Sequence, residues 1–243
     1  MEKSIQNIRK EEGFTLVELA VVMIIIGILI GGILKGQELI ANARVTATAS
    51  ELESISAAVD TFDDIYSGMP GDLASATNRL PNCNANPCNN GNGNGALGVA
   101  LGALALTTNE SAFFWSHLLQ ADLIGGLDGT NNAIFGNALP VAPVGGGYKA
   151  GDSAAGAGAF TLVRSGTYVT VEGAPALYST GAPASPLNVT QAARMDRRLD
   201  DGNPNAGSFA ADFVNCAVGG VNTATAYAES TPNNICAVAY RVR

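Results

Sequence analysis

From Phe14 to Leu34 the chain carries a single ionisable side chain, Glu18, in an otherwise apolar run. As a helix rising about 1.5 Å per residue, the run spans roughly 31 Å, enough to cross a hydrocarbon core of about 30 Å. A carboxylate inside such a segment costs about 2.5–3.5 kcal/mol at the bilayer centre and less near an interface, so it calls for a partner. No Lys or Arg lies within the run. The partner is then a cation on another molecule, or a new amino terminus made by cutting the chain nearby. A Glu resting at headgroup level is the plainer alternative.

A short hydrophilic leader precedes the run, and its junction reads Gly13-Phe14-Thr15-Leu16-Val17-Glu18. This arrangement resembles the processing site of type IV pilins and of the pseudopilins of type II secretion systems. The resemblance implies that a prepilin peptidase at the cytoplasmic face cuts between Gly13 and Phe14 and methylates the Phe14 amine. It implies that Glu18, one turn into the helix, neutralises the Phe amine of a neighbouring subunit in a filament. It also implies a single pass through the bacterial inner membrane with the head in the periplasm, and then a periplasmic or extracellular filament. The implied partners are the peptidase, other pilin or pseudopilin subunits, an inner-membrane assembly platform, and lipid before assembly. Two positions depart from the family pattern. Glu11 and Glu12 stand where basic residues are common, and Lys35 stands where many type IV pilins have Pro.

A rival cut is Ala41-Asn42-Ala43, an A-x-A pattern that would release a soluble chain from Arg44. The apolar run exceeds the roughly 7–15 residues of a signal h-region, and a Glu inside one is unexpected. Gly27 and Gly31, with Gly32 adjacent, have the small-x-x-x-small spacing that lets helices approach closely in lipid.

Beyond Gly36 the pattern changes from uniformly apolar to striped. Leu52, Ile55, Val59, Phe62 and Tyr66 fall three and four apart on one helical face, while Arg44, Glu51, Glu53, Asp60, Asp63 and Asp64 serve others. One long helix over 14–66 is expected, with 14–34 in lipid or a filament core and 37–66 packed on a head of residues 67–243, the lollipop shape of pilins. Gly68 and Pro70 end it. Glu110 to Ile124 reads as an amphipathic helix closed by Gly125-Gly126, and Val189 to Leu199 as another. Ala159–Arg164 and Thr167–Val171, joined at Ser165-Gly166, read as a hairpin; Ala176–Ser179 and Ile235–Val242 read as further strands. The fold class is α+β, a pilin fold: a long amino-terminal helix on a small antiparallel sheet, with a loop-rich periphery.

Four cysteines, Cys83, Cys88, Cys216 and Cys236, sit beyond an export segment and read as two disulfides. Three pairings are open. The two local ones, Cys83 with Cys88 and Cys216 with Cys236, are favoured, and carboxy-terminal disulfide loops in pilins support the second by resemblance. A zinc site is disfavoured, since neither pair has Cys-x-x-Cys spacing and there is one histidine. That residue, His117, has no recognisable nucleophile or orienting acid near it in sequence, and is read as a polar-edge residue of a packing helix. Gly91 to Gly95 is no phosphate cradle, because no Lys-Ser or Lys-Thr follows and no strand precedes it. Asp200, Asp201, Asn203 and Asn205 offer oxygens for calcium, as some pseudopilins use in a carboxy-terminal loop, but their spacing is not that of an EF-hand and helix capping is the simpler reading. No other cofactor is expected.

The formal net charge of −8 does not favour general nucleic-acid binding, which rests on phosphate neutralisation. No catalytic constellation is visible, so an enzyme is not expected. The expected function is a structural subunit of a type IV pilus or type II secretion pseudopilus. A minor pilin acting as an adhesion or binding module at a filament tip is the alternative, and a membrane-anchored periplasmic enzyme a more distant one.

Overall fold

The computed structural model describes residues 13–83, 87–101, 108–130, 132–153, 164–173, 185–211, 216–219, 224–231 and 235–243. The chain divides into two compact units, Met1–Ala41 and Asn42–Arg243. Helix α1 spans Leu16–Tyr66 and continues through Lys35 and Gly36 without a break. In the first unit its apolar side chains are exposed, with a mean hydropathy of 2.8 over the most apolar window.

In the second unit α1 turns one face inward. Val45, Thr48, Ala49, Leu52, Ile55, Ala58, Val59 and Phe62 are buried, and Tyr66 packs against the same core. This is the stripe read from the sequence, extended one to two turns toward the amino terminus by Val45, Thr48 and Ala49 and widened by Ala58. Each fully buried Leu, Ile or Phe contributes about 1.5–3 kcal/mol, so this face carries much of the unit's stability.

The helix begins two residues later than expected and ends at Tyr66 as expected. Ser67, not Gly68, takes the left-handed conformation (φ 49°), and its N–H still donates to Asp63 O at 2.7 Å. A short helix, α2 (Ala76–Arg79), follows. Helix α3 (Glu110–Gln120) starts on an Asn109 cap that accepts from Ala112 N and is buried from Ser111 to Leu118. It stops four residues short of the expected Ile124. Asp122 adopts φ 59°, its N–H donates to Leu119 O, and Leu123 N–H donates to Leu118 O. That pair of bonds is a Schellman turn with Asp where Gly is usual.

Four strands form an antiparallel sheet in the order β1-β2-β6-β3: β1 (Gly147–Asp152), β2 (Thr167–Glu172), β3 (Phe209–Ala211) and β6 (Val238–Arg241). Between them lie α4 (Val189–Leu199), opened by an Asn188–Gln191 capping box, and a two-stranded ribbon of β4 (Ala217–Val218) and β5 (Ala226–Tyr227). The expected hairpin of 159–164 with 167–171 is overturned: β2 pairs with β1 on one edge and β6 on the other, leaving no edge for it. Residues 154–163 and 174–184, including the expected strand at Ala176–Ser179, lie outside the described residues. The last strand is shorter than expected, because Ile235 bridges to Asn188 and Cys236 N–H donates to Leu187 O.

Both faces of β1 and β2 are buried. That buries an ion pair: Lys149 Nζ lies 2.5 Å from Glu172 Oε2, and Thr170 Oγ1 donates to Glu172 Oε1 at 2.7 Å. The structure joins Cys83 to Cys88 and Cys216 to Cys236.

Candidate processing and assembly site

Gly13, Phe14 and Thr15 are non-helical, and α1 begins at Leu16. The bond between Gly13 and Phe14 is thus in open backbone; a Cβ on Gly13 would meet nothing within 4 Å, and Phe14 is 85% exposed. Thr15 is the N-cap. Its Oγ1 accepts from Glu18 N at 3.3 Å, while Glu18 Oε2 accepts from Thr15 N and Thr15 Oγ1, both at 2.9 Å. This is a reciprocal capping box, and it also places an anion at the positive end of the helix dipole. In the single chain, then, the partner of Glu18 is its own Thr15. The capping role of Thr15 has a sequence signature, Thr-x-x-Glu ahead of an apolar run, which the charge of Glu18 overshadows.

Gly27 and Gly31 are open in the single chain, with room for a Cβ at each. The structure therefore supplies the surface that helix packing would use, without a partner on it.

Residues 8–34 match the prokaryotic N-terminal methylation motif. The match covers the amino-terminal segment alone and supports a type IV pilin-like, prepilin-type protein. The motif is that of structural, pilin-type subunits processed by prepilin peptidase, and the helix behind it is long and apolar enough to cross a membrane, which supports membrane anchoring. No curated protein and no solved structure matches the chain.

Within residues 67–243, the Pro70-Gly71-Asp72 turn is densely hydrogen bonded. Gly71 (φ 87°) lies where a Cβ would come within 2.5 Å of Glu110 O, so no other residue fits without displacement. Its N–H donates to His117 Nδ1 at 2.9 Å, and His117 Nε2 lies 2.8 Å from Asn89 O. Nδ1 must be the bare acceptor and Nε2 the donor, which fixes the neutral tautomer. Burial pulls the imidazole down to about 4, outweighing the Asn89 and Asp72 contributions that raise it. His117 is fully buried, so the polar-edge reading is corrected: the ring bridges the turn after α1 to the disulfide loop.

Asp72 sits in a nest of backbone amides. Its Oδ1 accepts from Gly93 N (2.6 Å) and Asn94 N (3.1 Å), and its Oδ2 from Gly95 N (2.6 Å). The Gly-Asn stretch does cradle an anion, but the anion is a side chain of the same molecule.

The Sγ atoms of Cys83 and Cys88 and a ring nitrogen of His117 lie within 4.8 Å of one another. They do not form a metal centre in this state, because both sulfurs are spent in the disulfide and both ring nitrogens are hydrogen bonded. In the carboxy-terminal loop, Asp200 Oδ2 accepts from Ser208 N and Phe209 N, Asp201 Oδ1 from Asn203 N, and Asn203 Oδ1 from Asn205 N. Asn205 Oδ1 is buried without a hydrogen-bond partner in the described structure. Behind the loop, Asp196 accepts from Tyr227 Oη (2.7 Å) and Gly202 N (3.1 Å), and burial pushes it up to about 6. The Asp200 carboxylate thus ties the end of α4 to the amides at the start of β3.

Proposed function

We propose that this chain is a structural subunit of a type IV pilus or a type II secretion pseudopilus. Prepilin peptidase removes residues 1–13 and methylates Phe14. The chain waits in the inner membrane with its head in the periplasm, and enters a filament through α1. Glu18 then pairs with the Phe14 amine of a neighbouring subunit, and Gly27 and Gly31 allow close helix approach. The observation that carries this reading is the coincidence, at one helix start, of the methylation motif, an exposed Gly13–Phe14 bond and a carboxylate ahead of an exposed apolar run. Nothing in lipid favours leaving that carboxylate without a positive partner, and the new amine is the nearest one the processing chemistry makes.

The test is the intact mass of the protein from its native membranes, before and after reduction. A chain beginning at Phe14 with one added methyl, gaining the four hydrogens of two opened disulfides, is expected. A chain beginning at Arg44 would make it a secreted soluble protein and overturn the filament reading. Its abundance in sheared filaments then separates a major from a minor subunit.

A further inference from the structure

The chain contains three Asn-Gly dipeptides, and all fall in one stretch: Asn90-Gly91, Asn92-Gly93 and Asn94-Gly95. Asn-Gly is the dipeptide most prone to deamidation. The glycine amide nitrogen loses its proton to base and attacks the Asn Cγ. A new N–Cγ bond forms, the Cγ–NH2 bond breaks, and ammonia leaves. Water then opens the succinimide at either carbonyl to give aspartate or isoaspartate. The net change is an amide plus water giving a carboxylate plus ammonium. Glycine favours the reaction because no side chain hinders the attacking nitrogen.

The loop is exposed to water, yet each reacting group is held. Gly91 N–H donates to Leu73 O at 3.0 Å, and Gly93 N–H to Asp72 O at 3.0 Å and Asp72 Oδ1 at 2.6 Å. Gly95 N–H donates to Asp72 Oδ2 at 2.6 Å. The three Asn carbonyl oxygens are also occupied: Asn90 Oδ1 by Thr77 N and Oγ1, Asn92 Oδ1 by Asn94 N, and Asn94 Oδ1 by Ala96 N. Each side chain is thereby turned toward a donor other than the nitrogen that would attack it. Gly91 is pressed so closely on Asp72 that a Cβ would lie 2.3 Å from its carbonyl carbon.

We propose that residues 90–95 are a latent deamidation site, kept unreactive by the carboxylate and backbone of the Asp72 turn. The same geometry makes the reaction self-propagating. Conversion of Asn92 or Asn94 adds a negative charge beside Asp72 and near Glu110, whose Oε1 accepts from Asn92 N at 2.9 Å. Repulsion then loosens the nest and frees the remaining glycine amides.

The experiment uses the full chain in detergent micelles, incubated at pH 7.5 and pH 9, with peptide mapping of aspartate and isoaspartate at 90, 92 and 94. The folded protein should react about a hundredfold more slowly than the reduced, denatured chain, as a reaction that needs local opening must. Asp72→Asn should speed conversion at Asn92 and Asn94 by about tenfold or more while the disulfides stay intact. Folded protein reacting at the denatured rate would overturn the proposal. So would a folded Asp72→Asn variant reacting no faster than the parent. Should that variant fail to fold, amide exchange on the unaltered protein decides: Gly91, Gly93 and Gly95 must exchange slowly despite their exposed loop, and free-peptide rates would overturn it.

Discussion

Replacing His117 by Gln keeps a neutral side chain with a donor nitrogen and an acceptor oxygen but removes the group that binds a proton in acid. In the native protein burial holds His117 at about 4, against about 6.5 in the unfolded chain. Between those values the unfolded state binds more protons, so the stability contributed by neutral His117 is full above pH 6.5 and is lost as the pH falls toward 4. Integrated from pH 6.5 down to pH 4, the loss is about 3 kcal/mol. The variant itself costs about 1–3 kcal/mol at pH 7, because Gln cannot serve both Gly71 N–H and Asn89 O as well as the ring does. Its disadvantage should then vanish or reverse by pH 4. Urea unfolding of both proteins in micelles, followed by the fluorescence of Trp115, the chain's one tryptophan, measures the difference. Comparing the pair cancels the shared carboxylates, including Asp196, whose raised value gives a contribution of opposite sign that is lost as pH rises through about 6. A gap between parent and variant that stays constant from pH 7 to 4 would show that His117 titrates freely in the fold, and the bridging role would fall.

Glu18→Ala should leave membrane insertion and removal of the leader intact but abolish filaments; normal filaments with the variant as sole subunit would sink the pairing role of Glu18. Lys149→Met should cost about 3–5 kcal/mol in urea unfolding by stranding Glu172, and Lys149→Met with Glu172→Leu should recover most of it. A double variant as unstable as the single would mean the pair's worth lies in the ionic contact itself. Replacing Cys216 and Cys236 by Ser opens the longer loop and should cost about 3 kcal/mol, against about 2 kcal/mol for Cys83 and Cys88 in the chain-entropy picture. Equal losses in the same unfolding assay would point to native strain or packing instead.

The parts of this fold that were legible in the sequence are the ones written locally. The apolar run of 14–34 and the stripe at Leu52, Ile55, Val59 and Phe62 announce themselves through spacing alone. Helix α4 was legible for the same reason. Strand β1 was not, because Gly-Tyr-Lys-Ala-Gly-Asp has no β-branched residue; tertiary burial on both faces, and the pairing of Lys149 with Glu172, make it a strand. The hairpin failed because a Ser-Gly turn says only that a chain reverses, not which strand it meets. Thr15, by contrast, is legible, because Thr-x-x-Glu spacing alone encodes the cap that Glu18 completes. The roles of His117 and Asp72 could not be read at all from spacing. His117 meets Gly71 across 46 positions and Asp72 meets Gly93 across 21, and no local pattern encodes such distances.

In a filament assembled through α1, a pull on that helix reaches the head through its buried face and through the one backbone strand that follows it. Here that strand is not left to bear tension alone. Gly71 to His117, His117 to Asn89, and Asp72 to three amides all act across the same short stretch, tying it to α3 and to the disulfide loop. Bonds set side by side share a pull and must yield together, whereas bonds set end to end open one by one like a zip. The turn therefore behaves as a rivet rather than a hinge, and a force entering the head along α1 is spread over three segments of chain before any of them can unravel.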